Sequence, residues 1–166
     1  MKEFLVTCLL LVISCIPLYG QSVDLKVQVQ FLPNILAFDR SQLRFGDPVS
    51  VGVSSDEALK AFEGLPDANV NGRKITFTKM ASIDDLAKFK AVYIDENWSK
   101  DAEKIIATAK ANQILVISRK EDLLENGGAV SFRKVLNKPQ IVVHQENSKA
   151  LGSNFMANFL KAVIVI

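Results

Sequence analysis

The sequence predicts a single α/β domain: a mostly parallel sheet with helices on both faces and an antiparallel hairpin near the C-terminus. Three observations lead there. Short runs rich in β-branched residues, Val49–Val53, Lys74–Lys79, Ala91–Asp95 and Ile114–Ile117, alternate with segments that open on helix caps. That alternation belongs to βαβ units and a parallel sheet. Two further strand-like runs, Ala129–Leu136 and Gln140–Gln145, are separated only by the turn Asn137-Lys138-Pro139, so they pair antiparallel and are expected on the sheet edge. Residues 21–166 are enough chain for one core without staples.

Taken in order, the chain begins with a charged start, Met1-Lys2-Glu3. An apolar run from Phe4 to Ile13 follows, interrupted only by Thr7 and Cys8, and then a polar turn through Pro17 and Gly20. This is the layout of a secretory signal peptide, residues 1–20, ahead of a domain at 21–166. The run is shorter than the roughly 20 residues a bilayer span requires. Two processing routes stay open. Ordinary secretion with cleavage before Gln21 is preferred, although Leu18 is bulky for that site. Val12-Ile13-Ser14-Cys15 also resembles a lipobox, which would leave Cys15 as a lipidated first residue and tether the domain to a membrane. Cys8 and Cys15 are the only cysteines, so the processed domain forms no internal disulfide and has no thiol chemistry.

Val23–Phe38 places Leu25, Val29, Leu32 and Leu36 on one helical face, and Pro33 is expected to kink it or start a second turn. Pro48 introduces the alternating strand Val49–Val53. Ser54-Ser55-Asp56-Glu57 caps a short helix over Ala58–Phe62. Asn71-Gly72 marks a turn before the strand Lys74–Lys79. Ser82-Ile83-Asp84-Asp85 caps another short helix, and Ser99 is expected to cap a helix from Lys100 to Ala111. After Asn126-Gly127-Gly128 and the hairpin, Asn147-Ser148 is expected to open one amphipathic helix that packs Leu151, Phe155, Phe159 and Val163 onto the sheet.

Twenty basic and 18 acidic residues give a net charge of +2, and the two signs are interspersed. No basic stripe with interleaved aromatics supports nucleic-acid binding. Asp95-Glu96 stands where a strand should end, the edge at which open α/β sheets gather ligands. Without a second cluster of carboxylates or histidines, these residues are read as a loop start and cap, with no metal. His144 is the sole histidine, read as a partly exposed strand residue. Gly127-Gly128 fits no phosphate-loop pattern and is read as a sharp turn in which at least one glycine takes positive φ. With no nucleophile–base pair either, the residues predict neither catalysis nor a cofactor. Trp98 is the first candidate for a partner contact, since Trp is over-represented at binding hot spots. The hairpin around Lys134 to Lys138 is the second.

The order of "QILVIS", "ENGGAVSF", "KPQIVVHQENSKA" and an apolar C-terminal segment resembles the YfiR family of small exported bacterial proteins. Gly127, Gly128, Val130 and Phe132 match its Gly-Gly element, and Asn147 matches the Asn that closes its last strand. "VNGRKITF", "FKAVYID" and Val49–Val53 fit its other strands. The resemblance implies a periplasmic regulator without catalytic activity that binds the periplasmic part of an inner-membrane sensor, a diguanylate cyclase or a histidine kinase. It leaves open whether the chain is a homodimer. Three departures stand out: Phe38-Asp39 in place of an aromatic-Pro pair, His144 and Glu146 in the final strand element, and no cysteines for redox control. The alternative class is a periplasmic small-ligand-binding protein that uses the sheet's carboxyl end.

Overall fold

A computed structural model describes residues 22–166. The leader, both cysteines and both cleavage sites lie outside the described residues. Helix α1 spans Leu25–Ala37 and is capped by the Asp24 carboxylate, which accepts from Lys26 N at 2.8 Å. It runs through Pro33 as one helix. Strand β1 (Val49–Val53), helix α2 (Asp56–Glu63), β2 (Asn69–Val70), β3 (Arg73–Lys79) and β4 (Ala91–Ile94) follow. Helix α3 (Ala102–Asn112), β5 (Leu115–Ser118), α4 (Asp122–Glu125), β6 (Val130–Val135) and β7 (Lys138–Val143) come next. Helices α5 (Gln145–Ala150) and α6 (Ala157–Leu160) lead to β8 (Ile164–Val165).

The eight strands form one sheet in the order β2-β3-β1-β4-β5-β6-β7-β8. β3, β1, β4, β5 and β6 are parallel, and β6 and β7 form the expected antiparallel hairpin. The chain moves from β1 to β3 in one direction and from β3 back across β1 to β4 in the other. With right-handed crossovers, α2 and the 3₁₀ segment Ile83–Lys88 therefore fall on opposite faces. α1 packs beside α2, while α3 packs beside Ile83–Lys88. Covered on both faces, β4 and β5 are buried at every residue, which is why they read as continuous apolar runs.

Four expectations are corrected. First, Ser99 does not cap a helix. Glu96–Asp101 is a 3₁₀ segment opened by Asp95, Ser99 Oγ donates to the Glu96 carbonyl inside it, and α3 begins only at Ala102. Second, the hairpin turn is Leu136-Asn137, both at positive φ (50° and 62°), and Lys138 and Pro139 already belong to β7. Pro139 is tolerated because β8 pairs with β7 only at Val142 and Val143, so the missing N–H faces an open stretch. Third, the hairpin is not the sheet edge: β8 pairs parallel outside it, and two-residue β2, unread in the sequence, forms the other edge. Fourth, the C-terminal segment is not one helix. His144, not Asn147, is the N-cap of α5, its Nδ1 accepting from Asn147 N at 3.3 Å, so it does not lie within a strand.

That last helix stops because another part of the fold takes its backbone. Gly152 sits at φ +76°, where a Cβ would lie 2.5 Å from Arg44 Nη1. Beyond it, Arg40 N donates to Asn154 O at 2.9 Å, Met156 N to Phe38 O at 2.9 Å, and Asn154 N to the buried Asp39 carboxylate at 3.0 Å. Residues 153–156 pair with the end of α1 and cannot also close a helix. Leu151, Phe155 and Phe159 reach the core as expected, and Val163 packs partly buried against it.

Candidate functional site

Three polar pairs follow three parallel strands and meet at the carboxyl edge of the sheet: Ser54-Ser55 after β1, Asp95-Glu96 after β4 and Ser118-Arg119 at the end of β5. The chain reverses its direction of travel at β1, so the crevice between β1 and β4 is the topological switch point of the sheet. Ser55 caps α2 by accepting from Ala58 N at 3.1 Å, and its hydroxyl donates to Asp95 Oδ2 at 2.5 Å. Asp95 N donates to Ser54 Oγ at 2.7 Å, and Asn97 Nδ2 donates to Ser54 O at 3.2 Å. Arg119 Nη1 donates to both Asp95 oxygens, at 3.1 and 3.2 Å, and the same guanidinium reaches Glu57 at 3.3 and 3.4 Å. Burial works against the Arg119 charge. Glu57 and Asp95 outweigh it and hold the guanidinium pKa above its ordinary value. Glu96 pairs outward with Lys120 at 2.8 Å.

Behind this crevice lies a second, buried network. Tyr93 in β4 donates through its hydroxyl to Gln28 Oε1 at 2.7 Å. Gln28 Nε2 donates in turn to Val23 O at 2.8 Å and Arg119 O at 3.3 Å. One amide in α1 therefore ties the start of the domain to the Arg119 loop. Burial, then the negative charge of Asp95, pushes the Tyr93 pKa well above its ordinary value, so the phenol stays a donor.

Asp95 acts as the sequence suggested: it opens the next segment, with Oδ1 accepting from Glu96 N at 2.7 Å. Among the described residues no group of three or more His, Cys, Asp and Glu is arranged to hold a metal. Arg119, Glu57 and Gln28 were missed as site residues. For Arg119 the signal is the recurrence of a polar pair straight after β1, β4 and β5; Glu57 and Gln28 lie within helices and carry no such mark.

The five motif positions are held by packing and hydrogen bonds. Gly127 takes φ +117°, and a Cβ there would meet Ile106 Cγ2 at 2.7 Å. A Cβ on Gly128 would lie 2.9 Å from the Leu123 carbonyl oxygen. Asn147, 19 residues later, donates through Nδ2 to Leu124 O and Gly128 O, both at 3.0 Å, which locks the Gly-Gly turn against α5. Val130 and Phe132 are buried on β6, and Phe132 stacks on Phe31 of α1 with ring centroids 6.3 Å apart.

Both contact candidates lie at the carboxyl edge. Trp98 belongs to the 3₁₀ segment after β4, half-buried against the core. The hairpin continues past β5: Val130 is opposite Ile117, and β5 ends at Ser118. Four more residues of β6 carry the arm about 13 Å beyond that edge. Arg133 anchors its base through Glu121. Leu136, at the tip, is 92% exposed.

No curated protein matches this sequence. Solved structures share the fold at low identity. A conserved domain protein from Vibrio cholerae O1 biovar eltor is 13% identical, with a TM-score of 0.59, 88% of this chain covered and 60% of that one. An ABC domain in complex with L-Trp from Streptococcus pneumonia is 14% identical, with a TM-score of 0.55 and coverage of 86% and 60%. A ligand-free, open substrate binding protein with adhesive properties from Clostridium difficile is 15% identical, with a TM-score of 0.55 and coverage of 87% and 60%. The chain thus spans about 60% of the length of the structures it matches, and the likeness is one of fold. The model of the YfiR/HmsC-like family matches residues 25–162, from the first turn of α1 to the residues before β8. With the Gly-Gly turn, its Asn147 latch and the parallel sheet inside that span, the chain belongs to the YfiR/HmsC-like family.

Proposed function

We propose that this chain is an exported regulatory domain without turnover of its own. It binds the periplasmic sensor part of an inner-membrane signalling protein, a diguanylate cyclase or a histidine kinase, and changes its output. The family match over residues 25–162 carries this reading. Export follows from the leader, whose residues 1–20 are removed, with lipidation at Cys15 as the other route. A regulator of this kind works by mass action, shifting its partner's population by its differential affinity for two states. The contact surface is the carboxyl edge, where Trp98 and the Lys134–Lys138 hairpin both lie. The test is a deletion strain assayed for cyclic-di-GMP and kinase output, with a pull-down of the neighbouring envelope sensor. Output should change on deletion, and Trp98→Ala should weaken capture more than tenfold, about 1.4 kcal/mol. Unchanged output in the deletion strain would refute the regulator.

A second reading, small-ligand binding, is favoured by one observation: the switch-point crevice holds Arg119 between Asp95 and Glu57, and two structures of this fold are described as holding L-Trp or as substrate binding. Tight binding of a small molecule by the purified protein, abolished by Arg119→Ala, would establish it.

A further inference from the structure

The hairpin tip combines features that the fold does not require. Leu136 is 92% exposed and Val135 beside it 41%. Leu136 also sits at φ +50°, a region that costs a leucine more than the Asn or Gly usual in such turns. From Val130 to Val143 the hairpin carries Arg133, Lys134 and Lys138 and no carboxylate. Arg133 is spent on Glu121. Lys134 and Lys138 have no ion-pair partner among the described residues.

The surroundings extend the pattern. A groove of about 750 Å³ beside the arm is lined by Lys26, Lys60 and Lys134, with Asp24 and Glu57 as its carboxylates. Asp24 is engaged in capping α1 and Glu57 in holding Arg119, whereas Lys26 and Lys60 are exposed and also lack an ion pair among the described residues. Ser22 and Val23 line the same groove.

We infer that this end of the molecule docks on an anionic lipid surface, with Leu136 and Val135 entering the interface and Lys134, Lys138, Lys26 and Lys60 facing the headgroups. An apolar tip flanked by ammonium groups is suited to a bilayer interface, which offers apolar depth below and negative charge above. The inference assigns to lipid the same hairpin that the regulator reading offers to a protein partner, and the experiment below separates the two.

The experiment uses the exported protein with Leu136→Cys labelled with an environment-sensitive fluorophore, together with flotation on vesicles of phosphatidylcholine alone or mixed with phosphatidylglycerol. The probe should shift to the blue and the protein should float only with the phosphatidylglycerol mixture, and 0.5 M salt should release it. Lys134→Glu with Lys138→Glu should weaken flotation at least tenfold. Leu136→Asn suits the turn better than leucine, so it should keep or raise the melting temperature while reducing flotation at least fivefold, which separates lost docking from lost folding. Equal flotation of all variants, or flotation on phosphatidylcholine alone, would overturn the inference. So would capture of the envelope sensor's soluble periplasmic domain in a Leu136-dependent way without vesicle binding, since the tip would then be a protein contact.

Discussion

Two of the positive-φ turns could hardly differ more, the Gly-Gly turn before β6 and the Leu136-Asn137 turn after it. At Gly127 the surroundings leave no alternative. Ile106 fills the space a Cβ would need, and Asn147 reaches back from α5 to bond the carbonyls on either side of the turn. At Leu136 nothing surrounds the side chain, and the residue is poorly suited to its own backbone angle. The interior turn is specified by packing. The exposed one keeps a residue that stability alone would replace, and that contrast separates scaffold from surface in this domain.

The largest effect is expected at the interior turn. Gly127→Val adds strain at positive φ and a clash with Ile106, and should lower stability by about 3 kcal/mol, read as a shift in the denaturation midpoint at constant m-value. An unchanged midpoint would remove the packing account of the turn. Next comes the buried phenol behind the crevice. Tyr93 has a folded pKa raised above its unfolded value near 10. Its contribution is therefore fully present below that value and is lost as pH rises above about 10, at up to roughly 1.4 kcal/mol per pH unit. Chemical denaturation at pH 8, 9.5 and 11 should show this slope in the native protein and a flatter one in Tyr93→Phe; the difference between the two isolates Tyr93 from the titrating lysines. Asn147→Ala removes both latch bonds and should cost about 1–2 kcal/mol, with faster hydrogen exchange at Gly128 than in β5. The smallest effect, opposite in sign, belongs to the exposed turn. Leu136→Asn with Asn137→Gly installs the residues preferred in a two-residue hairpin turn and should raise stability by up to about 1 kcal/mol. A loss there would mean that Leu136 has a structural role after all.

The tight Gly-Gly turn and the buried face of β6 were legible because their chemistry is local. A Gly-Gly pair before a strand marks a backbone that must turn tightly, and Val130 and Phe132 sit two apart on one strand face. The Arg119–Asp95–Glu57 cluster was not legible as a cluster. Its members are separated by 24 and 62 residues and come together only because β1, β4 and β5 are neighbours. The Gln28–Tyr93 bond spans 65 residues and joins a helix to the strand beneath it, a pairing that helical periodicity alone does not reveal.

By itself, then, the sequence determined the alternation of parallel strands and helices, the hairpin, the caps at Ser55 and Ser82, and the positive φ in the Gly-Gly turn. Each of these depends on side-chain period, cap chemistry or steric freedom within a few residues. Only the tertiary structure decided where the C-terminal helix ends, because the backbone of residues 153–156 is taken by the end of α1 and by Asp39. It also decided that β8 covers β7, that Pro139 lies within a strand, and that Arg119 faces Asp95. Those outcomes turn on which distant backbone and charged groups compete for the same partners, and that competition is resolved only when the sheet assembles.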